Sequence, residues 1–182
     1  QIEILGDIYI QNIILNNNTI LRAFSNCYYW INNPLYQTDF RNLGYYSDLQ
    51  TDLSNYFRGN IIDFLMDNSN EVYIQKNISK YLSITIDNYI QDLSTKDNSI
   101  YNGIIELLLL SKLFELSIMV VDNFYEIIYI LDNGIVLEDT KISSIKNLKL
   151  YKNNEFTKKS IVIMLEFHLG SNKPSKIKSM YY

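Results

Sequence analysis

The chain has 182 residues, 47% hydrophobic and 14% aromatic, enough apolar material for one domain with a real core and too much for a disordered chain. Its formal net charge of −4 disfavours a general nucleic-acid binder. A single cysteine, Cys27, excludes an internal disulfide and suits a reducing, intracellular compartment.

Residues 1–15 alternate weakly through Ile2, Ile4, Ile8 and Ile10, which suits a strand or an arm, while Glu3 and Asp7 break any signal-peptide core. Asn16-Asn17-Asn18 suits a tight turn, because Asn tolerates left-handed backbone angles. Thr19 then stands where a helix begins, and Ile20, Leu21, Phe24 and Cys27 follow at helical spacing. This helix is expected to reach about Trp30 and to be closed by Asn32-Asn33-Pro34. Residues 35–46 lack periodicity and read as a loop. Ser47 or Thr51 caps a second helix to about Met66, with Leu49, Leu53, Tyr56, Phe57, Ile61 and Leu65 on one face. Asp67-Asn68-Ser69-Asn70 breaks it, and further helix, in one or two pieces, is expected from Val72 to Leu93.

Tyr101-Asn102-Gly103 leads into Ile104-Ile105-Glu106-Leu107-Leu108-Leu109-Leu110-Ser111, apolar all round, so the spacing predicts a helix buried between layers. Glu106 in its first turn complements the helix dipole and is read as structural. The apolar window 104–121 is interrupted by Glu106, Lys112 and Glu115, against a membrane span. From Leu116 the period becomes that of strands: 117–121, then 125–131 and 135–137 around the hairpin signal Asp132-Asn133-Gly134, then 148–151 and 161–169. Lys173, Lys176 and Lys178 read as a solvated tail. The expectation is an α+β chain, helices first and a mostly antiparallel sheet later, in a single domain spanning 1–182 that is a fragment of a longer protein.

Two stretches carry a family resemblance. Asn16-Asn17-Asn18-Thr19-Ile20-Leu21-Arg22-Ala23-Phe24-Ser25 resembles the Asp-Gly-Asn-Cys-Leu-Phe-Arg-Ala signature of the ovarian-tumour (OTU) deubiquitinases. Asn18, Arg22, Ala23 and Ser25 keep the family residue, while Asn16 replaces Asp, Asn17 replaces Gly and Thr19 replaces the catalytic Cys. Tyr101 to Ser111 resembles the family's Trp-Gly-Gly-x-x-Glu-Leu-x-Ala-Leu-Ser, matching at Gly103, Glu106, Leu107, Leu110 and Ser111. The resemblance spans about residues 13–169. It implies a papain-like OTU fold, a mostly antiparallel sheet packed between helices with the nucleophile-bearing helix against it.

The chemistry the resemblance would bring is incomplete. Thr19 occupies the nucleophile slot, and a threonine hydroxyl is far less acidic than a thiol; threonine nucleophiles are usually N-terminal, with their own amine as base. As an internal residue, Thr19 reads as a helix cap. Asn16 fills the slot on the oxyanion side. The family histidine falls on Met180 or Tyr181, or is replaced by His168, the only histidine, which also reads as an ordinary strand residue. Cys27 lies eight residues along the helix, about 12 Å from Thr19, and reads as core. No metal-ligand cluster, phosphate-binding glycine loop or other catalytic constellation emerges, and no cofactor is expected.

The expected function is therefore that of a pseudodeubiquitinase, an inactive OTU-like domain that retains a ubiquitin or ubiquitin-like binding surface. Aromatic residues of the intervening helical region, Tyr45, Tyr46, Tyr56 and Phe57 among them, are the candidate contacts. Two alternatives stand beside it: a structural module that docks other segments of its parent chain, and an active isopeptidase with atypical residues. Neither nucleic acid nor membrane is expected as a partner.

Overall fold

The computed structural model describes residues 2–5, 8–12, 19–32, 47–95, 103–122, 124, 127–137, 160–167 and 174–181. They form an α+β arrangement around one sheet of seven strands. In chain order these are β1 (Ile2–Leu5), β2 (Ile8–Asn12), β3 (Ser117–Asp122), β4 (Ile127–Asp132), β5 (Ile135–Val136), β6 (Ser160–Phe167) and β7 (Pro174–Tyr181). The α-helices are α1 (Thr19–Asn32), α2 (Ser47–Met66), α3 (Glu71–Asn77), α4 (Ile86–Ser94) and α5 (Gly103–Leu113). Short 3-10 turns at Asn68–Asn70 and Ser79–Tyr81 flank α3.

The strand order is β1-β2-β7-β6-β3-β4-β5. Every pairing is antiparallel except β3 with β6. The mostly antiparallel sheet is as expected, but its strands do not all follow the helices: the hairpin β1–β2 at the start of the chain extends the sheet through β7. The basic residues expected in a tail lie partly in a strand. Lys176 and Lys178 lie in β7, where Glu166 pairs with Lys176 and Met164 with Lys178, and Pro174 heads the strand, a position that needs no amide donor.

Alternation along β3 and β6 sorts their side chains onto two faces. Ile118, Val120, Ile161 and Ile163 join the main core with α1 and α5, while Met119, Val121, Ile130 and Val162, in the alternate rows, are equally buried. The centre of the sheet is thus covered on both faces, which explains why 117–121 is a continuous apolar run. On the helical side, α1 packs across β7 and β6 and α5 across β3, β4 and β5, with α2 lying against both α1 and α5.

The second helix starts at Ser47 and ends at Met66. Phe57, Ile61 and Leu65 face the core as expected, but Tyr56 is 57% exposed, because neighbouring helical positions point about 100° apart. Phe57 meets Phe24 edge-on at 4.9 Å between ring centroids, and Phe114 at 5.2 Å, so one aromatic cluster joins α1, α2 and the end of α5. The break after Met66 follows from Asp67, whose carboxylate accepts from the Ser69 amide at 2.9 Å and caps the 3-10 turn.

α5 ends in a left-handed residue that is not glycine. Glu115 has φ 51°, and the Leu116 amide donates back to the Ser111 carbonyl at 3.0 Å, which turns the chain directly into β3. The hairpin between β4 and β5 has positive φ at both Asn133 (45°) and Gly134 (80°), the two-residue turn whose twist matches its flanking strands. The expected strands at 125–131 and 161–169 are observed as Ile127–Asp132 and Ser160–Phe167. The loop expected at 35–46 and the strand at 148–151 lie outside the described residues. Among those described, no helix is long and apolar enough to cross a membrane.

Candidate functional site

The two sequence stretches singled out above meet in space. Thr19 is the first residue of α1 and is buried, and Gly103 is the first residue of α5. A Cβ placed on Gly103 would stand 2.6 Å from Cγ1 and 3.0 Å from Cδ1 of Ile20. The starts of the two helices therefore touch, and glycine is required at 103 because Ile20 occupies the space of its missing side chain. Gly103→Ala is expected to cost about 1–3 kcal/mol through overpacking. Most of that loss should vanish in an Ile20→Ala background, measured as a double-mutant cycle by urea denaturation. Additive effects would show that the two helix starts do not press on each other.

Three matched residues of the first stretch, Arg22, Ala23 and Ser25, build the seam between α1 and α2. An Arg22 Nη2 hydrogen goes to Thr51 Oγ1 at 2.6 Å. Ser25 returns its hydroxyl hydrogen to the Leu21 carbonyl at 2.6 Å, and its oxygen lies 3.5 Å from that of Ser54. Ala23, Ser25 and Ser54 are fully buried, small side chains that let the two helices approach closely. Cys27 is core, as expected, with its thiol 3.6 Å from the Val162 carbonyl on β6.

In the second stretch, Ser111 serves the hairpin. Its hydroxyl donates to the Leu108 carbonyl at 3.0 Å and accepts from the Gly134 amide at 2.8 Å. The Gly134 carbonyl in turn accepts from the Tyr73 hydroxyl at 2.6 Å. Burial pushes Tyr73 up to about 12, so the hydroxyl keeps its proton for that bond.

Glu106 is fully enclosed, and burial pushes its carboxyl up to about 8. Its own backbone amide and two side chains work against that shift, Tyr89 of α4 and Arg58 of α2. The structural role read from the sequence fits this position, but its two coupled neighbours were not anticipated. Arg58 and Tyr89 sit singly on amphipathic helices, and the available signal was Arg58 directly after Phe57, four residues on from Ser54, within the apolar stripe of α2.

The candidate base positions 180 and 181 both lie in β7, where 180 pairs with Val162 of β6 and Ile10 of β2, and 181 pairs with Tyr9 of β2. His168, Asn16, Tyr45 and Tyr46 lie outside the described residues. Of the two remaining aromatic candidates, Tyr56 is at the surface and Phe57 is corrected to a core residue, 0% exposed. Among the described residues no cluster of His, Cys, Asp and Glu is suited to a metal ion.

No family model matches the chain, and no solved structure matches it. The chain is similar to an uncharacterized protein of Acanthamoeba polyphaga mimivirus, 41% identical over 176 residues, which cover 95% of this chain and 11% of that protein. The chain thus spans about a tenth of the length of that relative.

Proposed function

We propose that the chain is an OTU-like, papain-like domain without cysteine-protease activity, a pseudodeubiquitinase that keeps a surface for ubiquitin or a ubiquitin-like protein. The observation that carries this reading is the juxtaposition of the helix starts at Thr19 and Gly103: the two stretches that resemble the family, 84 residues apart, begin two touching helices, the first of which packs on the last strands of the sheet. At the head of α1 stands a hydroxyl in place of a thiol. A threonine hydroxyl does not ionise readily near neutral pH, so the nucleophile slot itself is inert. Binding energy alone remains, so affinity for ubiquitin should be modest, in the micromolar range or about −8 kcal/mol.

The test is an NMR titration with unlabelled ubiquitin, run beside a cleavage assay on ubiquitin chains. Expected are shifts at Thr19 and its preceding amides and around Tyr56, with no cleavage. Cleavage that disappears in Thr19→Ala would overturn the inactive reading, and a spectrum with no shifts would end the binding one. Thr19→Cys by itself should restore little activity if position 180 or 181 is the base slot, since neither Met180 nor Tyr181 offers an imidazole.

A second reading, a structural module of a large protein, is favoured by one observation. In the mimivirus relative the matching stretch is only 11% of the whole. On that reading α1 and α5 are packing elements, and Tyr56 faces another segment of the same parent chain.

A further inference from the structure

The described residues include three glycines, and two of them have an internal reason: Ile20 fills the place of a side chain at 103, and Tyr73 and Lys112 do so at 134. Gly59 has none. It sits in the middle of α2, half-buried, and a Cβ placed on it would meet nothing within 4 Å. A glycine inside a helix weakens it, so the chain's own packing does not account for this one. Asp52, Tyr56, Gly59, Asp63 and Met66 follow at steps of four, three, four and three residues, which sets them in one stripe along α2. Phe57, Ile61 and Leu65 take the opposite, core side. Tyr56 is 57% and Met66 65% exposed, and both aspartates are exposed. No cation of α2 answers them. Its one basic residue, Arg58, is turned towards α4, where Nη1 donates to the Leu93 carbonyl at 2.8 Å. Residues 47–95 hold seven acidic and three basic side chains, so the whole net charge of −4 resides there.

We propose that this stripe of α2 is a docking surface for a basic amphipathic helix of a partner protein. Alternating steps of three and four are the spacing with which one helix meets another over several turns. Gly59 lets the incoming backbone come close at the middle of the contact. Tyr56 and Met66, on either side of it, supply exposed apolar area, and both residue types serve such surfaces well. Asp52 and Asp63 select lysine or arginine on the partner, because complementary charges attract and like charges reject. A second copy of this chain fits poorly, since two such stripes would bring four aspartates together. The inference stands apart from the ubiquitin reading, whose contacts extend to Thr19.

A synthetic amphipathic helix of leucine and lysine, titrated into the isotope-labelled chain and followed by NMR, tests this beside the same pattern built with glutamate. Expected are shifts concentrated at Asp52, Tyr56, Gly59, Asp63 and Met66, with the lysine peptide only. No shifts, shifts centred elsewhere, or an equal response to the glutamate peptide would overturn the proposal. Shifts at Thr19 on adding ubiquitin bear on the pseudodeubiquitinase reading alone, so the two fail independently. Gly59→Leu supplies the decisive contrast. Its side chain enters open space and replaces a helix-interior glycine, so Tm should rise by roughly 2–4 °C. Affinity for the lysine peptide should nevertheless fall about tenfold, because the same side chain intrudes on the contact. Unchanged affinity would overturn the close approach at Gly59, and a fall in Tm would show that the glycine serves internal packing, which removes the premise. Changing Asp52→Lys and Asp63→Lys together should abolish binding of the lysine peptide, and binding that survives both changes counts against the proposal.

Discussion

Glu106→Gln is expected to make the protein more stable than the parent chain at pH 9 and to leave it nearly unchanged at pH 4. The sign follows from where the proton resides. Below the ordinary carboxyl value of 4.5 the group is protonated in both the folded and the unfolded chain, and burial exacts little. Between 4.5 and about 8 the unfolded chain releases the proton while the folded chain keeps it, so the folded state loses stability steadily as the pH rises. Above about 8 the loss is complete, and the folded state carries a buried carboxylate. At 1.36 kcal/mol per unit, the full loss is about 4–5 kcal/mol, a large fraction of the stability of a typical domain.

Glutamine fills the same volume, keeps an acceptor for the backbone amide and has nothing to ionise. Its stability curve should therefore lack the decline that Glu106 imposes. Tyr73, at about 12, and Tyr89, held well above the usual phenol range by burial, titrate outside this window and do not confuse the comparison. Urea midpoints of both proteins from pH 4 to pH 9 provide the check. Parallel curves would mean that Arg58 moves to pair with the carboxylate and that the buried site tolerates its charge.

The second large effect belongs to the hairpin. Gly134→Ala is expected to cost about 3 kcal/mol, from two separable sources. The residue's φ of 80° is strained for any side chain. Its Cβ would also press on the Tyr73 hydroxyl and stand 2.7 Å from Cβ of Lys112. The tyrosine's near atom is the very hydroxyl that donates to the Gly134 carbonyl, so it does not retreat without losing that bond. In a Tyr73→Phe background the added cost of alanine should shrink but not disappear, because the backbone strain and Lys112 remain. A variant within about 0.5 kcal/mol of the parent would show that the turn relaxes to another geometry, and thermal or urea denaturation reads this directly.

Much of the architecture was legible because it is local. The Asn133-Gly134 turn was readable from two residue types that accept positive φ, and α1, α2 and α5 from apolar spacing alone. The inaccessible nature of α5 was plain from an apolar run with no polar face, and the core role of Cys27 from its place on an apolar stripe. The starts of two helices, at Thr19 and Gly103, were legible as well.

What they could not reveal depends on partners distant in the chain. β7 reads as a basic tail because lysines at 176 and 178 are poor strand formers, and only pairing with β6 and β2 makes a strand of them. Tyr56 and Phe57 are adjacent aromatics of equal promise until the helix is set on its core, which buries one and exposes the other. Glu106 was visible as a lone acidic residue in a helix's first turn, where the dipole would favour its charge. Tertiary packing reversed that expectation: enclosing the carboxyl costs more than the dipole returns, so the folded chain holds it neutral beside Arg58 and Tyr89. Helical and turn preferences are properties of a few neighbouring residues, and the sequence contains them whole. Burial and strand pairing are properties of segments up to 172 residues apart, as between Tyr9 and Tyr181, and they exist only once the chain has closed on itself.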